Sequence, residues 1–349
     1  MQSRARDFVE AVKSLVKCEI VDVKDIYDID AIETLMLEVC SGLDIQNTVV
    51  NITGGTKPMS IACFSICSQL KIPFFYMGTD NVVQLFTPGL VDSDKPRVTK
   101  SILNLDLSEK HFFNHYIKAH GFNSVQSGEQ YRYLSEGQQE AFFARVMTGD
   151  MSKAIFALNG LSANARNKTL TIEIEKKFIP EKLNSLLDVL TDFGWVEVKK
   201  AQNEGHLSLA YRDEDIRRFL NGIWLELYVE KQLKAILPSV RIYRGLKAEA
   251  QRYSNELDLV FFYENKVYVI EAKTLDFSDS DNSRQDIIHK LKSVTSNFGG
   301  LNARSCLISF QKLPPYLLDR AVDAGIFVIQ GNDLRPETSL QGKLKQWIQ

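Results

Sequence analysis

The chain has 349 residues, long enough for two or three domains. Its 44% hydrophobic and 25% charged residues are an ordinary globular mixture that can bury sizeable cores. A formal net charge of −2 excludes a protein that coats nucleic acid through global charge and leaves only a local basic groove for that purpose. No apolar run approaches the ~20 residues of a membrane span, and the N-terminus, MQSRARDFVE, has no apolar signal region, so a cytoplasmic protein with no membrane partner is expected.

Residues 4–16 carry Phe8, Val12, Leu15 and Val16 at helical spacing, residues 19–23 read as a short strand, and 29–40 read as a second helix. Residues 48–53 form a buried-type strand that Gly54-Gly55-Thr56-Lys57 breaks. Pro58 then suits the first position of a helix running to Leu70, and 73–77 is the next strand. This is a βαβ unit of a parallel, Rossmann-like sheet. Within it, NITGGTKP at 51–58 places glycines at a strand-to-helix turn, where backbone N–H groups and the helix N-terminus favour an anion; Asn51, Thr53, Thr56 and Lys57 surround them. The motif is neither a Walker A loop nor a GxGxxG fingerprint, so ATP and NAD are poor candidates; the alternative is a plain tight turn. The five cysteines include no CxxC pair, and with Cys63 and Cys67 one helical turn apart they read as reduced core residues.

A helical pattern spans 102–116, with His111 and His115 four apart but no third ligand, which suits a linker helix better than a zinc site. Another helix covers 138–158 and stops at Asn159-Gly160. A helix at 180–191 and strands at 195–199 and 206–211 around Asn203-Glu204-Gly205 compose a winged helix. Its lack of a basic recognition helix favours a spacer over a DNA reader. Between 212 and 252, nine Lys/Arg stand against six Asp/Glu, a mild excess. Asp213 caps a long helix, and Glu226 falls among that helix's apolar positions in GIWLELYV. A buried carboxylate there has to meet a metal or a lysine.

The stretch NELDLVFFYENKVYVIEAKT at 255–274 reads as a hairpin turning at Glu264-Asn265. With a symmetric loop, cross-strand partners sum to 529, so Asp258 faces Glu271, Glu256 faces Lys273, and all four share one side. Opposed carboxylates repel, and a divalent cation held by Asp258 and Glu271 would resolve the repulsion, with Lys273 near enough to orient a water or neutralise a phosphate. Leu257, Leu259, Phe261, Tyr268, Ile270 and Ala272 would face the core. The alternatives are an edge hairpin with a Glu256–Lys273 ion pair, or an odd-length loop that separates Asp258 from Glu271. A helix at 285–298 carrying Lys290, a possible phosphate contact, and strands at 303–309 and 325–329 complete the chain.

NITGGTKPMS, GIWLELYV, NELD, VIEAKT and FGGLNARSCLIS from Phe298 together resemble CRISPR-associated Rossmann-fold (CARF) sensors fused to a PD-(D/E)xK nuclease. Asp258 and Glu271-Ala-Lys273 match the Asp…Glu-x-Lys core, with Leu257 replacing the usual Pro, and Glu226 matches that active site's helix glutamate. The resemblance implies an α/β protein: a Rossmann-like CARF sensor at 1–100 lacking the family's first strand and loop, a helical and winged-helix-like linker at 101–212, and a restriction-endonuclease-like domain at 213–349. It further implies a homodimeric endonuclease of type III CRISPR antiviral defence that cuts DNA or RNA. Mg²⁺ or Mn²⁺ would be held by Asp258, Glu271 and Glu226. Cyclic tetra-adenylate or cyclic hexa-adenylate, seated on Asn51, Thr53, Gly54, Gly55, Thr56 and Lys57, would activate it. The rival reading is a sensor-regulated DNA-binding protein that works through its winged helix, and the intact Asp258, Glu271 and Lys273 speak against it.

Overall fold

The computed structural model describes every residue except 1, 79–81, 90–96, 101–109, 123, 127–133, 166–169, 202, 250–253, 265, 276, 278–281, 300–302 and 336–338. The chain divides into two bodies, Met1–Glu109 and Lys110–Gln349.

The first body holds helices α1 (Gln2–Val12), α2 (Ile29–Ser41) and α3 (Lys57–Leu70), and strands β1 (Val50–Asn51), β2 (Phe74–Met77), β3 (Val82–Phe86) and β4 (Arg97–Lys100). The strands lie side by side in the order β1-β2-β3-β4. The βαβ unit forms as expected, with Val50 beside Phe74 in a parallel pair. The rest of the sheet departs from expectation, because β2, β3 and β4 pair antiparallel. The segment joining β2 to β3 is too short for the crossover a parallel pair needs. Phe74 stacks on Phe86 at 4.8 Å beside a small core of Cys40, Ile52, Cys67 and Ile72. Cys40 and Cys67 are free and buried, and burial pushes the Cys67 thiol up to about 12. Residues 19–23 are not a strand: Ile20 and Val21 are exposed and join no ladder.

The second body runs α4 (Lys110–Ala119), β5 (Ser124–Gln126), α5 (Glu136–Met147), α6 (Ser152–Ala165), β6 (Thr171–Glu175), α7 (Glu181–Asp192), β7 (Val196–Lys200) and β8 (His206–Tyr211). It continues with α8 (Glu214–Arg218), α9 (Trp224–Ile236), β9 (Ile242–Glu249), β10 (Ser254–Tyr263), β11 (Lys266–Lys273), α10 (Asn282–Gly299), β12 (Ala303–Ser309), α11 (Pro315–Asp323), β13 (Phe327–Gln330) and α12 (Leu340–Ile348). A six-stranded sheet has the order β13-β12-β11-β10-β9-β5, parallel from β11 to β13 and antiparallel elsewhere. The winged helix is present, α7 followed by the β7–β8 hairpin, with β6 as a third strand. It has no core of its own. One continuous cluster joins Leu186, Trp195 and Leu209 of the winged helix to Trp224, Ile270 and Cys306 around the large sheet.

Three helix expectations are corrected. The helix expected at 138–158 is two, α5 and α6, parted where Gly149 turns at φ 68°. Asn159-Gly160 does not end α6, which continues to Ala165 because the buried Asn159 amide finds partners outside the helix. The long helix capped by Asp213 is interrupted by a π turn at Phe219–Ile223, where Gly222 adopts φ 125°. Of the expected 102–116 helix, residues 102–109 lie outside the described residues, as does the His111 side chain. Among the described residues, no helix is long and apolar enough to cross a membrane.

Candidate active site

The site is built on β10 and β11. Leu259 pairs with Ile270 and Val260 with Val269, the expected register, and Glu264 turns the hairpin in a left-handed conformation at φ 47°. Leu259, Phe261, Tyr268, Ile270 and Ala272 enter the main core, and Leu257 is also buried. The opposite face is covered too: Val260, Phe262, Val267 and Val269 are buried, with Phe113 of α4 edge-on to Phe262. The hairpin therefore sits in the middle of the sheet, between β9 and β12, which removes the edge-hairpin alternative.

At the open end the β10–β11 backbone pairing stops at Leu259 and Ile270, and a side chain takes over. Asp258 Oδ2 accepts the Ala272 N–H at 2.8 Å, so a carboxylate stands where a strand carbonyl would have been. Lys273 Nζ lies 3.0 Å from that same Oδ2 and 2.8 Å from Glu271 Oε1. The lysine thus bridges the two carboxylates rather than pairing with Glu256, which is exposed. Asp258 and Glu271 retain only 9% and 6% exposure, so this shared cation is what keeps two facing acids tolerable. Burial alone would depress Lys273, but Asp258 and Glu271 overcome it and hold the ammonium above the usual lysine range. Glu271 is pushed up by burial and then by Asp258, against the pull of Lys273 and of Lys290 on α10.

Glu226 joins this cluster from α9. Burial, and then the field of Asp258, push its carboxyl up to about 8, while Lys273 and Arg244 pull the other way. Its placement follows from the kink before it. A Cβ at Gly222 would stand 3.0 Å from Thr274 Oγ1, so only glycine lets the π turn pass this close to the end of β11. Asn159 on α6 holds the same threonine, donating from Nδ2 to Thr274 Oγ1 at 2.8 Å and to its carbonyl at 3.1 Å. Asn159 was legible only as a helix stop. The sign of its real role is a polar residue between Leu158 and Leu161 on a buried helix face.

The donor chemistry fits a hard divalent cation, since the carboxylates of Asp258 and Glu271 already share one cationic centre. Among the described residues, no three His, Cys, Asp or Glu side chains gather closely enough to form a closed metal cage.

The NITGGTK loop is braced by its own side chains. Asn51 Oδ1 accepts the Thr53 N–H at 2.9 Å, and Thr53 Oγ1 accepts the Met77 N–H at 2.9 Å. Thr56 caps α3 through the Met59 N–H and donates to the Ile26 carbonyl at 2.8 Å. Gly55 sits at φ 94°, space is open beyond Gly54, and Lys57 is exposed. The surface left for an anion is thus the Gly54-Gly55 backbone, the start of α3 and the Lys57 ammonium.

Comparison with known proteins bears on the two halves of the chain. Residues 4–106 match the Card1 CARF domain, and residues 213–349 match the Card1-like endonuclease domain. No curated protein sequence matches the chain. Among solved structures, Can2 from Sulfobacillus thermosulfidooxidans, in complex with cyclic tetra-adenylate, aligns at a TM-score of 0.74 and 22% identity, over 99% of this chain and 87% of its own. Protein VC1899 from Vibrio cholerae aligns at 0.75 and 21%, over 99% and 88%. A type III CRISPR defence DNA nuclease activated by cyclic oligoadenylate aligns at 0.50 and 14%, over 99% of this chain and 46% of its own. At these identities the structural likeness is one of fold, and the two domain matches supply the family: the chain is a nuclease of the CARF family, a Card1 CARF domain joined to a Card1-like endonuclease domain.

Proposed function

We propose that this chain is a cyclic-oligoadenylate-activated, metal-dependent endonuclease of type III CRISPR defence that works as a homodimer on DNA. The observation that carries the reading is the Asp258–Lys273–Glu271 bridge at the paired ends of β10 and β11, with Glu226 in the same field. Asp258 and Glu271, with Glu226, are the residues that would hold Mg²⁺ or Mn²⁺; such an ion, when bound, lowers the pKa of an attacking water and neutralises the scissile phosphate. Lys273 is charged throughout the physiological range, and its ammonium orients the nucleophile or meets the charge that develops on phosphorus. The Ala272 N–H fixes the Asp258 carboxylate, so that this ligand is preorganised. Burial and the field of Asp258 raise the Glu226 carboxyl to about 8, so it adds less negative charge beside the pair than an ordinary glutamate would.

Cyclic tetra-adenylate is the activator we assign, seated on Gly54, Gly55 and Lys57 with Asn51, Thr53 and Thr56 as scaffold. It is the ligand of the structurally similar Can2. Two copies of the loop related by a two-fold axis would grip one symmetric ring, which is the reason for a dimer. Ligand and catalytic residues lie in separate bodies, so activation requires different ligand affinities for two arrangements of the dimer. The test is incubation of purified protein with Mn²⁺ and single-stranded DNA, RNA or plasmid, with and without cyclic tetra- or hexa-adenylate. Cleavage dependent on the ligand and lost in Asp258→Asn is expected. Asp258→Asn protein that cuts at the wild-type rate would overturn the site.

A further inference from the structure

Two cavities outside the catalytic cluster meet along one helix. The first, of about 490 Å³, is lined by Lys153, Phe156 and Leu161 of α6, Ile174 of β6, and Phe178 and Pro180 before α7. The second, of about 550 Å³, includes Asp150, Asn332, Lys312 and Arg335. They share Ser152 and Gln311, and Gln311 Nε2 donates to the Ser152 carbonyl at 2.8 Å to form the saddle between them. The saddle lies one step from the active site. Ser309 pairs with Lys273, Phe310 N–H donates to the Lys273 carbonyl at 2.9 Å, and Gln311 follows.

Phe156 is 43% exposed and Phe178 63%, in a body that has room in its core for every one of its tryptophans. Aromatic rings left at the surface beside cations are what a strand of unpaired bases requires, since every base has a π face and every linkage a phosphate. Cations line both cavities. Lys153 lines the apolar one, Lys312 and Arg335 line the other, and Lys176 and Lys177 precede Phe178, with Lys177 Nζ ion-paired to Glu175 and 4.8 Å from the Phe178 ring centre. Asp150 is engaged internally: its carboxylate accepts the Ser152 N–H at 3.1 Å and lies in the fields of Lys182 and Arg335.

We infer that this double groove binds a single-stranded nucleic acid, with bases stacked on Phe156 and Phe178 and phosphates led past Lys153 and Lys312 toward the strand ends that carry Lys273. The inference rests on the nuclease reading for its substrate, and it gives the winged-helix region the task of holding that substrate.

The test uses the full-length protein in the Asp258→Asn background, which binds without cutting, and measures fluorescence anisotropy with labelled single-stranded DNA and RNA oligonucleotides of one sequence. Phe156→Ala and Phe178→Ala should each weaken binding about tenfold, with thermal unfolding unchanged because both rings are exposed. Phe178→Trp should restore binding. Lys153→Ala and Lys312→Ala should flatten the dependence of affinity on salt. In the active protein the phenylalanine variants should raise KM and spare kcat. Undiminished binding in the double alanine variant would overturn the inference. So would conversion of a dimer to monomers by Phe178→Ala, which would make the groove a contact between copies. Because binding is read without cleavage, a protein that cuts nothing leaves the groove test intact.

Discussion

Replacing Lys273 by methionine keeps the length of the side chain and deletes the charge that Asp258 and Glu271 share. At 2.8–3.0 Å and an effective dielectric constant of about 20, each contact is worth roughly 6 kcal/mol of Coulomb attraction, most of it offset by desolvation. Removing one partner of a buried pair costs about 3–5 kcal/mol, and the 26% exposure of the lysine side chain places the loss at the lower end, ~3 kcal/mol. The loss should depend on pH. Without the ammonium, the facing carboxylates relieve their repulsion by binding a proton, so the Glu271 carboxyl, already raised, rises further above its unfolded value. The folded protein then binds more protons than the unfolded one between those values, and stability falls as pH rises. Urea unfolding at about pH 6 and about pH 9, in chelator and in Mg²⁺, reads this directly. The variant should lose most at the higher pH and regain more than the wild type when Mg²⁺ is added. Equal stability of variant and wild type at both pH values would refute the bridge as the element that makes the acids tolerable.

Glu226→Gln tests the raised carboxyl. In the wild type stability should fall as pH climbs from the ordinary carboxylate range through about 8, and the glutamine variant should lack that slope and gain ~2 kcal/mol on the alkaline side; a flat wild-type profile would contradict it. Lys57→Ala should leave the fold intact and abolish calorimetric binding of cyclic tetra-adenylate, with undiminished binding the refuting result. Thr56→Ala should act instead through the scaffold, losing a cap and the Ile26 tether for about 1–2 kcal/mol. Gly222→Ala meets Thr274 at a positive φ and should cost ~1–3 kcal/mol and weaken metal-dependent cleavage; a variant as stable and active as wild type would mean the kink does not aim Glu226.

The β10–β11 hairpin was readable because its information is local: two apolar runs, a two-residue turn and a period of two fix which side chains face each other, and Leu259 opposite Ile270 follows from that count. The cap at Thr56 and the helix after it were readable for the same reason. What escaped was set by partners far away in sequence. Strand β5 pairs with β9 across more than a hundred residues, and three residues of SVQ carry no pattern that says so. Asn159-Gly160 has the composition of a helix end, yet Thr274 supplies the amide's hydrogen bonds and the helix runs on. The Gly222 turn lies inside a strong amphipathic pattern, and only the nearness of Thr274 explains why the residue there is glycine. Residues 19–23 have the β-branched content of a strand but join no ladder.

The continuous core that runs from Leu134 to Ile348 bears on where this chain can be cut. Family boundaries invite a truncation at residue 213, but that cut would strip Phe142 and Trp195 from the rings of Phe219 and Trp224, take Asn159 from Thr274, and leave β9 without its neighbour β5. Sticky aromatic surface and an unprotected strand edge are the ingredients of aggregation. The smallest excisable catalytic body therefore starts near Lys110, and a protease sampling the native protein should release that piece whole rather than a bare nuclease.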